Sequence, residues 1–140
     1  YGTVILDDTY NAAPLSMHAA LRELASFPAA HKVAVVGDML ELGPESEAAH
    51  INIANEIKEL QLDAVIFVGP EMHLAYEHLK KIDLGESTQW FKSSVLAIQA
   101  ARKLLAGNTA MLIKGSRGMH MDRVVREVMR DKEHAESLLV

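Results

Sequence analysis

The sequence predicts an α/β three-layer sandwich, with a mainly parallel sheet of five or six strands and helices on both faces. Two observations support this fold class. Short β-rich runs alternate with longer segments of helical periodicity along the whole chain. Several strand-like runs are continuously apolar, such as residues 33–36 and 64–68. Such runs are typical of parallel strands that are covered on both sides.

Each predicted strand leads into a predicted helix. The strands are residues 3–6, 33–36, 64–68, 88–91 and 110–113. Ser16 is the predicted N-cap of the first helix, and a helix near Ser93 is expected to turn Val95 inward. A chain of such β-α units forms a Rossmann-like sheet, because each helix returns the chain to the start of the next parallel strand.

Length and composition set limits on the function. The 140 residues suit one domain, which we assign to residues 1–131, with residues 132–140 as a frayed or disordered tail. The sequence has no cysteine, which excludes disulfides and thiolate metal sites, and its formal charge of -5 argues against nucleic-acid binding. No apolar run approaches the roughly 18 residues of a membrane span. Because Tyr1 leads straight into a strand without an initiator Met, we expect a part of a longer protein.

Ligands of parallel α/β sheets bind beyond the carboxyl ends of the strands. Four loops are predicted at that edge: residues 7–16, 37–44, 69–71 and 114–119. Polar residues concentrate in the first, second and fourth loops. The sequence therefore predicts a functional edge where these three loops meet.

The first and fourth loops carry the residue types with the clearest chemistry. Asp7 and Asp8 could bind a metal, accept hydrogen bonds from ribose hydroxyls, or act as acid and base. An equal alternative is that one of them caps a turn and the other is solvated. Lys114, Ser116 and Arg117 combine two cations and a hydroxyl at a strand-to-helix junction. That combination suits a carboxylate or a phosphate, and the alternative is a solvated turn.

The second loop is less specific. Asp38 and Glu41 are possible cleft-facing acids, and acids left in water are an equal alternative. Glu47 and His50 have a spacing that two metal ligands on a helix would have, but we interpret them as a surface pair. Neither of the glycine-rich phosphate-binding patterns, GxxxxGK[ST] and GxGxxG, occurs, so another domain must hold the phosphates of any nucleotide.

Three segments resemble the final domain of the Mur ligase family, in its branch that adds D-alanyl-D-alanine to a nucleotide-linked peptide. They are residues 7–14 (DDTYNAAP), 36–43 (VGDMLELG) with Ser46 and His50, and 112–117 (LIKGSR). The segments span nearly the whole chain in the family's order. The family commonly has Asn where this chain has Ala13.

The resemblance implies a lid domain that is inactive alone and has no catalytic residue or metal ligand of its own. An N-terminal domain would hold UDP-N-acetylmuramoyl-tripeptide, and a central domain would hold ATP and Mg²⁺. Asp8 matches a residue that contacts the ATP ribose. The implied binding residues for D-alanyl-D-alanine, or the cleft that receives it, are Tyr10, Asn11, Lys114, Ser116 and Arg117. We expect a cytoplasmic bacterial monomer.

The main alternative is a stand-alone signalling module of the receiver type. That fold also pairs acids after its first strand with a lysine after its fifth, as Asp7, Asp8 and Lys114 are arranged in this sequence. A receiver needs a phospho-accepting Asp after its third strand, where this chain has Gly69 and Pro70.

Overall fold

The computed structural model describes residues 2–82 and 87–138, with side chains described as far as residue 132. Its strands are β1 (Thr3–Asp8), β2 (His31–Gly37), β3 (Ala64–Val68), β4 (Thr88–Phe91) and β5 (Thr109–Lys114). They form one sheet in the order β1-β5-β2-β3-β4, and every neighbouring pair is parallel. The predicted parallel sheet is confirmed.

The helices are α1 (Pro14–Ser26), α2 (Ser46–Leu60), α3 (Met72–Ile82), α4 (Ser94–Lys103) and α5 (Asp122–Leu138). Side chains from α1, α2 and α3 join one buried apolar cluster, and side chains from α4 and α5 join a second. Alternate strand residues divide between the clusters: Ala34 and Val36 belong to the first, and Val33 and Val35 to the second. Because both faces of the sheet are covered, the central strands are apolar without alternation.

Strand order positions the site. β5 lies between β1 and β2, but the helix that follows β5 packs on the opposite face from the helices that follow β1 and β2. The chain therefore leaves β1 and β2 toward one face of the sheet and β5 toward the other. This divergence opens a crevice at the carboxyl ends of the three strands.

Two helix predictions need correction. α1 begins at Pro14, not after a Ser16 cap; Ala13 is the N-cap, and the Ser16 hydroxyl accepts the Ala13 N–H at 3.0 Å. Proline suits the first helical position because its missing N–H has no partner there in any case. In α4, Val95 is 51% exposed, contrary to prediction. The small residues Ala97 and Ala101 face the sheet instead, which allows close packing.

The tail predicted for residues 132–140 begins within α5. Helical backbone continues through residues 132–138, and residues 139 and 140 lie outside the described residues. Asp131 accepts two hydrogen bonds from the Arg102 guanidinium, which ties α5 to α4 at this level. Among the described helices, none is both long and apolar enough to cross a bilayer.

Candidate functional site at the carboxyl edge of the sheet

Asp8 and Lys114 form an ion pair between neighbouring strands. They are register partners at the ends of β1 and β5, and the Lys114 Nζ donates to Asp8 Oδ2 at 2.7 Å and to the Asn11 carbonyl at 2.8 Å. The Lys114 side chain is 1% exposed, whereas that of Asp8 is 46% exposed. The ammonium is thus occupied and buried, while one face of Asp8 remains open. This placement favours a positioning role for Lys114 over the predicted direct contact with a substrate.

Asp7 and Asp8 have different surroundings, because successive side chains on a strand point to opposite faces. Asp7 is exposed and accepts a hydrogen bond from the Thr9 hydroxyl at 3.0 Å, which is a local turn contact. Asp8 is held by Lys114. Of the two acids, Asp8 is the better candidate for a ligand contact.

Ser116 joins three loops. Its backbone N–H donates to the Asp38 carbonyl at 3.0 Å, and its hydroxyl accepts the Leu40 N–H at 2.8 Å. The same hydroxyl lies 3.4 Å from the Ala12 carbonyl, to which it donates. The first, second and fourth loops therefore meet at one edge, as the sequence predicts.

The prediction that Asp38 faces the cleft is wrong. Its side chain is buried, and its carboxylate accepts the backbone N–H groups of Met72 at 2.7 Å and Glu71 at 3.1 Å, at the start of α3. Burial raises the pKa of Asp38 above its ordinary value of 3.8, although both backbone donors act to lower it. Gly69, with φ of 109°, leaves room for this carboxylate, since a Cβ there would lie 2.5 Å from its Cγ.

The surface pair predicted at Glu47 and His50 is also wrong, because His50 is fully buried. Its Nε2 accepts the Met39 N–H at 3.0 Å, and its Nδ1 lies 2.7 Å from the Ser46 carbonyl. These partners require the neutral tautomer that carries its proton on Nδ1. His50 therefore anchors the second loop. The spacing of Ser46 and His50, one helical turn apart, indicates that their side chains can meet, but it does not show that His50 is buried.

Four exposed residues surround an open cleft of about 380 Å³: Tyr10, Asn11, Glu41 and Arg117. The Arg117 guanidinium lies 5.2 Å from the centre of the Tyr10 ring, a cation–π contact that orients both side chains. Glu41 has a left-handed backbone with φ of 64°. For a residue with a Cβ that conformation costs about 1–2 kcal/mol. Of the two acids that the sequence offered as cleft-facing, Glu41 lines the cleft and Asp38 does not.

The chain matches a protein family and several known proteins. The family model described as Mur ligase, glutamate ligase domain, matches residues 1–117. The UDP-N-acetylmuramoyl-tripeptide–D-alanyl-D-alanine ligase of Escherichia coli is 37% identical over 130 residues, which cover 91% of this chain and 27% of the relative. The ligase of the same name from Rickettsia prowazekii is 36% identical over 86% of this chain and 26% of its own length. The chain thus spans about a quarter of the length of these relatives.

Solved structures show the same fold. A crystal structure of MurF from Acinetobacter baumannii superposes with a TM-score of 0.81 at 30% identity, over 91% of this chain and 28% of that one. MurF ligase from Thermotoga maritima, solved in complex with ADP, superposes with a TM-score of 0.78 at 26% identity, over 96% of this chain and 30% of that one. With the family match over residues 1–117, these similarities show that the chain belongs to the Mur ligase family.

Proposed function

We propose that this chain is the C-terminal lid domain of an ATP-dependent ligase that adds D-alanyl-D-alanine to UDP-N-acetylmuramoyl-tripeptide in peptidoglycan synthesis. The observation that carries the proposal is the meeting of three polar loops at one edge of the sheet, tied together by Lys114 and Ser116. The names of the relatives support the reaction, and the ADP complex of one structural neighbour supports a nucleotide at this family's site.

The proposed lid supplies contacts to a reaction whose main binding machinery lies in other domains. The sequence lacks a glycine-rich phosphate loop, so a central domain would hold the ATP phosphates, and an N-terminal domain would hold the UDP-sugar. Across residues 2–82 and 87–132, no three His, Asp or Glu side chains are grouped to hold a metal ion. We propose that Mg²⁺ is held by the central domain, as the family resemblance implies. The whole enzyme is proposed to work as a cytoplasmic monomer.

Within the lid, each proposed role follows from which polar atoms of a side chain remain accessible to a ligand. Asp8 keeps an open carboxylate face for ribose hydroxyls, and Lys114 holds it in place. Arg117 offers a fork-shaped cation that suits the carboxylate of the dipeptide, beside Tyr10 and Asn11. Lys114 and Ser116 are proposed to position these groups, since their polar atoms are already bonded within the domain.

In the proposed reaction, ATP phosphorylates the terminal carboxylate of the tripeptide. The neutral amine of the dipeptide then attacks the acyl carbon, the C–O bond to the phosphate breaks, and the nitrogen releases one proton to the solvent. Closure of the lid would hold the amine in line and exclude water that would otherwise hydrolyse the acyl phosphate. The receiver alternative is not supported, since β3 is followed by Gly69 and Pro70 rather than an Asp, and the relatives are ligases.

The proposal is tested with the longer protein that contains this domain. We expect ADP and phosphate to form only when UDP-N-acetylmuramoyl-tripeptide and D-alanyl-D-alanine are both supplied, together with a product that contains the dipeptide. The 140-residue chain alone should show no turnover. Absence of dipeptide-dependent ADP formation by the longer protein, with its folding confirmed by circular dichroism, would contradict the proposal.

Two substitutions in that longer protein separate the two contacts. Asp8→Asn should raise the KM for ATP about tenfold, because it removes a charged hydrogen-bond acceptor, and leave the KM for the dipeptide near the wild-type value. Arg117→Ala should raise the KM for the dipeptide and leave the KM for ATP near the wild-type value. Steady-state kinetics with each substrate varied in turn measures both. Equal losses for the two substrates in either variant would count against this assignment.

A further inference from the structure

The cleft beside Arg117 is lined by two residues of opposite charge, Glu41 and Arg117. Among the residues that the structure describes, neither the Glu41 carboxylate nor the Arg117 guanidinium forms an ion pair or a side-chain hydrogen bond. Both residues are exposed and line the same cleft of about 380 Å³. The buried polar side chains nearby do have such partners: Lys114, Ser116 and Asp38 each form hydrogen bonds within the domain.

Small or apolar residues form part of the cleft wall, beside the polar residues Tyr10, Asn11 and Ser116. Ala12, Leu40 and Gly118 line the cleft, and Leu40 is 39% exposed. The volume lies at the low end of the range for small-molecule sites. Gly118 packs against Leu40 so closely that a Cβ on the glycine would lie 2.9 Å from Leu40 Cδ1. A ligand that fits this cleft is therefore short, has small apolar side groups, and carries opposite charges at its two ends.

The left-handed backbone conformation of Glu41 is consistent with a functional role for its carboxylate. Its φ of 64° is a conformation that glycine adopts without strain, as Gly43 does nearby with φ of 61°. Strained positions of this kind concentrate at functional sites. The Glu41 side chain has no hydrogen bond within the described residues that would explain its place there.

We propose that Glu41 and Arg117 form a zwitterion-binding pair, in which Glu41 receives the ammonium group of the incoming dipeptide and Arg117 receives its carboxylate. The inference rests on the proposed function and adds a specificity residue to it. Glu41 acts in capture: the bound ammonium must lose a proton before its nitrogen can attack the acyl carbon. The expected effect of changing Glu41 therefore lies in the KM for the dipeptide more than in kcat.

The test uses the longer protein and the variant Glu41→Gln, which keeps the shape of the side chain and removes its charge. We expect the KM for D-alanyl-D-alanine to rise about tenfold, as for loss of a charged hydrogen bond, with the KM for ATP within about twofold of wild type. Glu45→Gln is the matched control. Glu45 is an exposed acid in the same loop, outside the cleft, and its substitution should change neither KM.

A second variant and a second ligand separate recognition from structure. Glu41→Gly removes the backbone strain, so it should leave the thermal midpoint unchanged or higher while still raising the KM for the dipeptide. As competitive inhibitors, a dipeptide analogue with a hydroxyl in place of the ammonium should bind wild type about tenfold more weakly than a dipeptide whose amine is dimethylated, which keeps the positive charge and one N–H but cannot form the amide. In Glu41→Gln that preference should disappear.

Three outcomes would overturn the inference. They are an unchanged dipeptide KM in Glu41→Gln, an equal rise in the KM for ATP, and a preference for the ammonium that survives the substitution. Each leaves the proposed function in place as long as the wild-type protein ligates the dipeptide. If wild type shows no dipeptide-dependent ADP formation, the proposed function fails, and this inference fails with it.

Discussion

Lys114 is the residue on which the geometry of this edge most depends. Its ammonium bonds to the end of β1 through Asp8 and to the following loop through the Asn11 carbonyl. Burial of an ammonium is costly without such partners, so the pair fixes where both groups lie. The proposed ribose contact and the proposed dipeptide cleft are thereby held at a constant separation by one side chain.

The two members of this ion pair should differ in their effect on stability. Asp8→Ala leaves a buried ammonium without its counter-charge, and we expect it to lower the free energy of unfolding by about 2–4 kcal/mol. Lys114→Met leaves only a half-exposed carboxylate, which water can solvate, so its cost should be about 1–2 kcal/mol. Urea unfolding of the 140-residue chain measures both.

The double variant is the control for that comparison. Asp8→Ala combined with Lys114→Met removes both charges, so it should be more stable than Asp8→Ala alone. A larger loss in Lys114→Met than in Asp8→Ala would show that the Asn11 carbonyl, not the buried charge, dominates the energetics.

At the scale of elements, the loop after β2 is anchored from two sides. Asp38 accepts the first backbone N–H groups of α3, and His50 of α2 accepts the Met39 N–H. A carboxylate at a helix N-terminus satisfies donors that have no partner within the helix. This loop therefore serves first to fix α2 and α3 against the sheet, and only its outer part, at Leu40 and Glu41, reaches the cleft.

The buried carboxylate of Asp38 predicts a pH dependence of stability. Its folded-state pKa is raised, so its contribution is fully present below the unfolded value of 3.8 and declines as the pH rises through the higher folded-state pKa. Asn at this position does not titrate. The stability of Asp38→Asn relative to wild type should therefore increase as the pH rises from about 4 toward neutral.

Denaturant unfolding of both proteins across that range tests the pH prediction. The difference between them cancels the other carboxylates, which titrate alike in each. Burial has the largest effect on the pKa of Asp38 and raises it, the backbone N–H groups of Met72 and Glu71 lower it, and the charge of the Glu71 carboxylate raises it. A relative stability that falls with pH would mean that the two backbone donors outweigh burial.

At the scale of the whole molecule, strand order decides which loops share a surface. Residues 8, 38 and 114 are far apart in the chain, yet β5 inserted between β1 and β2 brings their strand ends together. The sheet itself is covered by two separate apolar clusters, one on each face. A domain of this size, with both faces of its sheet covered, is large enough to fold without further domains.

We therefore expect the isolated chain to fold but to bind ATP poorly. Thermal unfolding should be a single cooperative transition, because both clusters share the same five strands. Titration calorimetry should give a Kd for ATP weaker than about 1 mM, since the phosphates have no loop to hold them. Binding at about 10 µM or tighter would show that the domain holds the nucleotide by itself.

The sequence by itself determined the fold class and the edge at which the polar loops meet. Apolar runs and helical periodicity report burial on both faces of a sheet, and parallel strands must place their carboxyl ends together. The family resemblance also rested on local segments. These are properties of short stretches of chain, and they do not depend on knowing which distant residues become neighbours.

Only the tertiary structure decided which polar side chain faces a ligand and which is bonded inside. Asp38 and Glu41 lie three residues apart in one loop, but one is buried at the start of α3 and the other lines the cleft. Lys114 is buried and paired with Asp8, and His50 is fully buried. The reason is that a polar group's role depends on whether a donor or acceptor from a distant segment reaches it, and no local pattern contains that information.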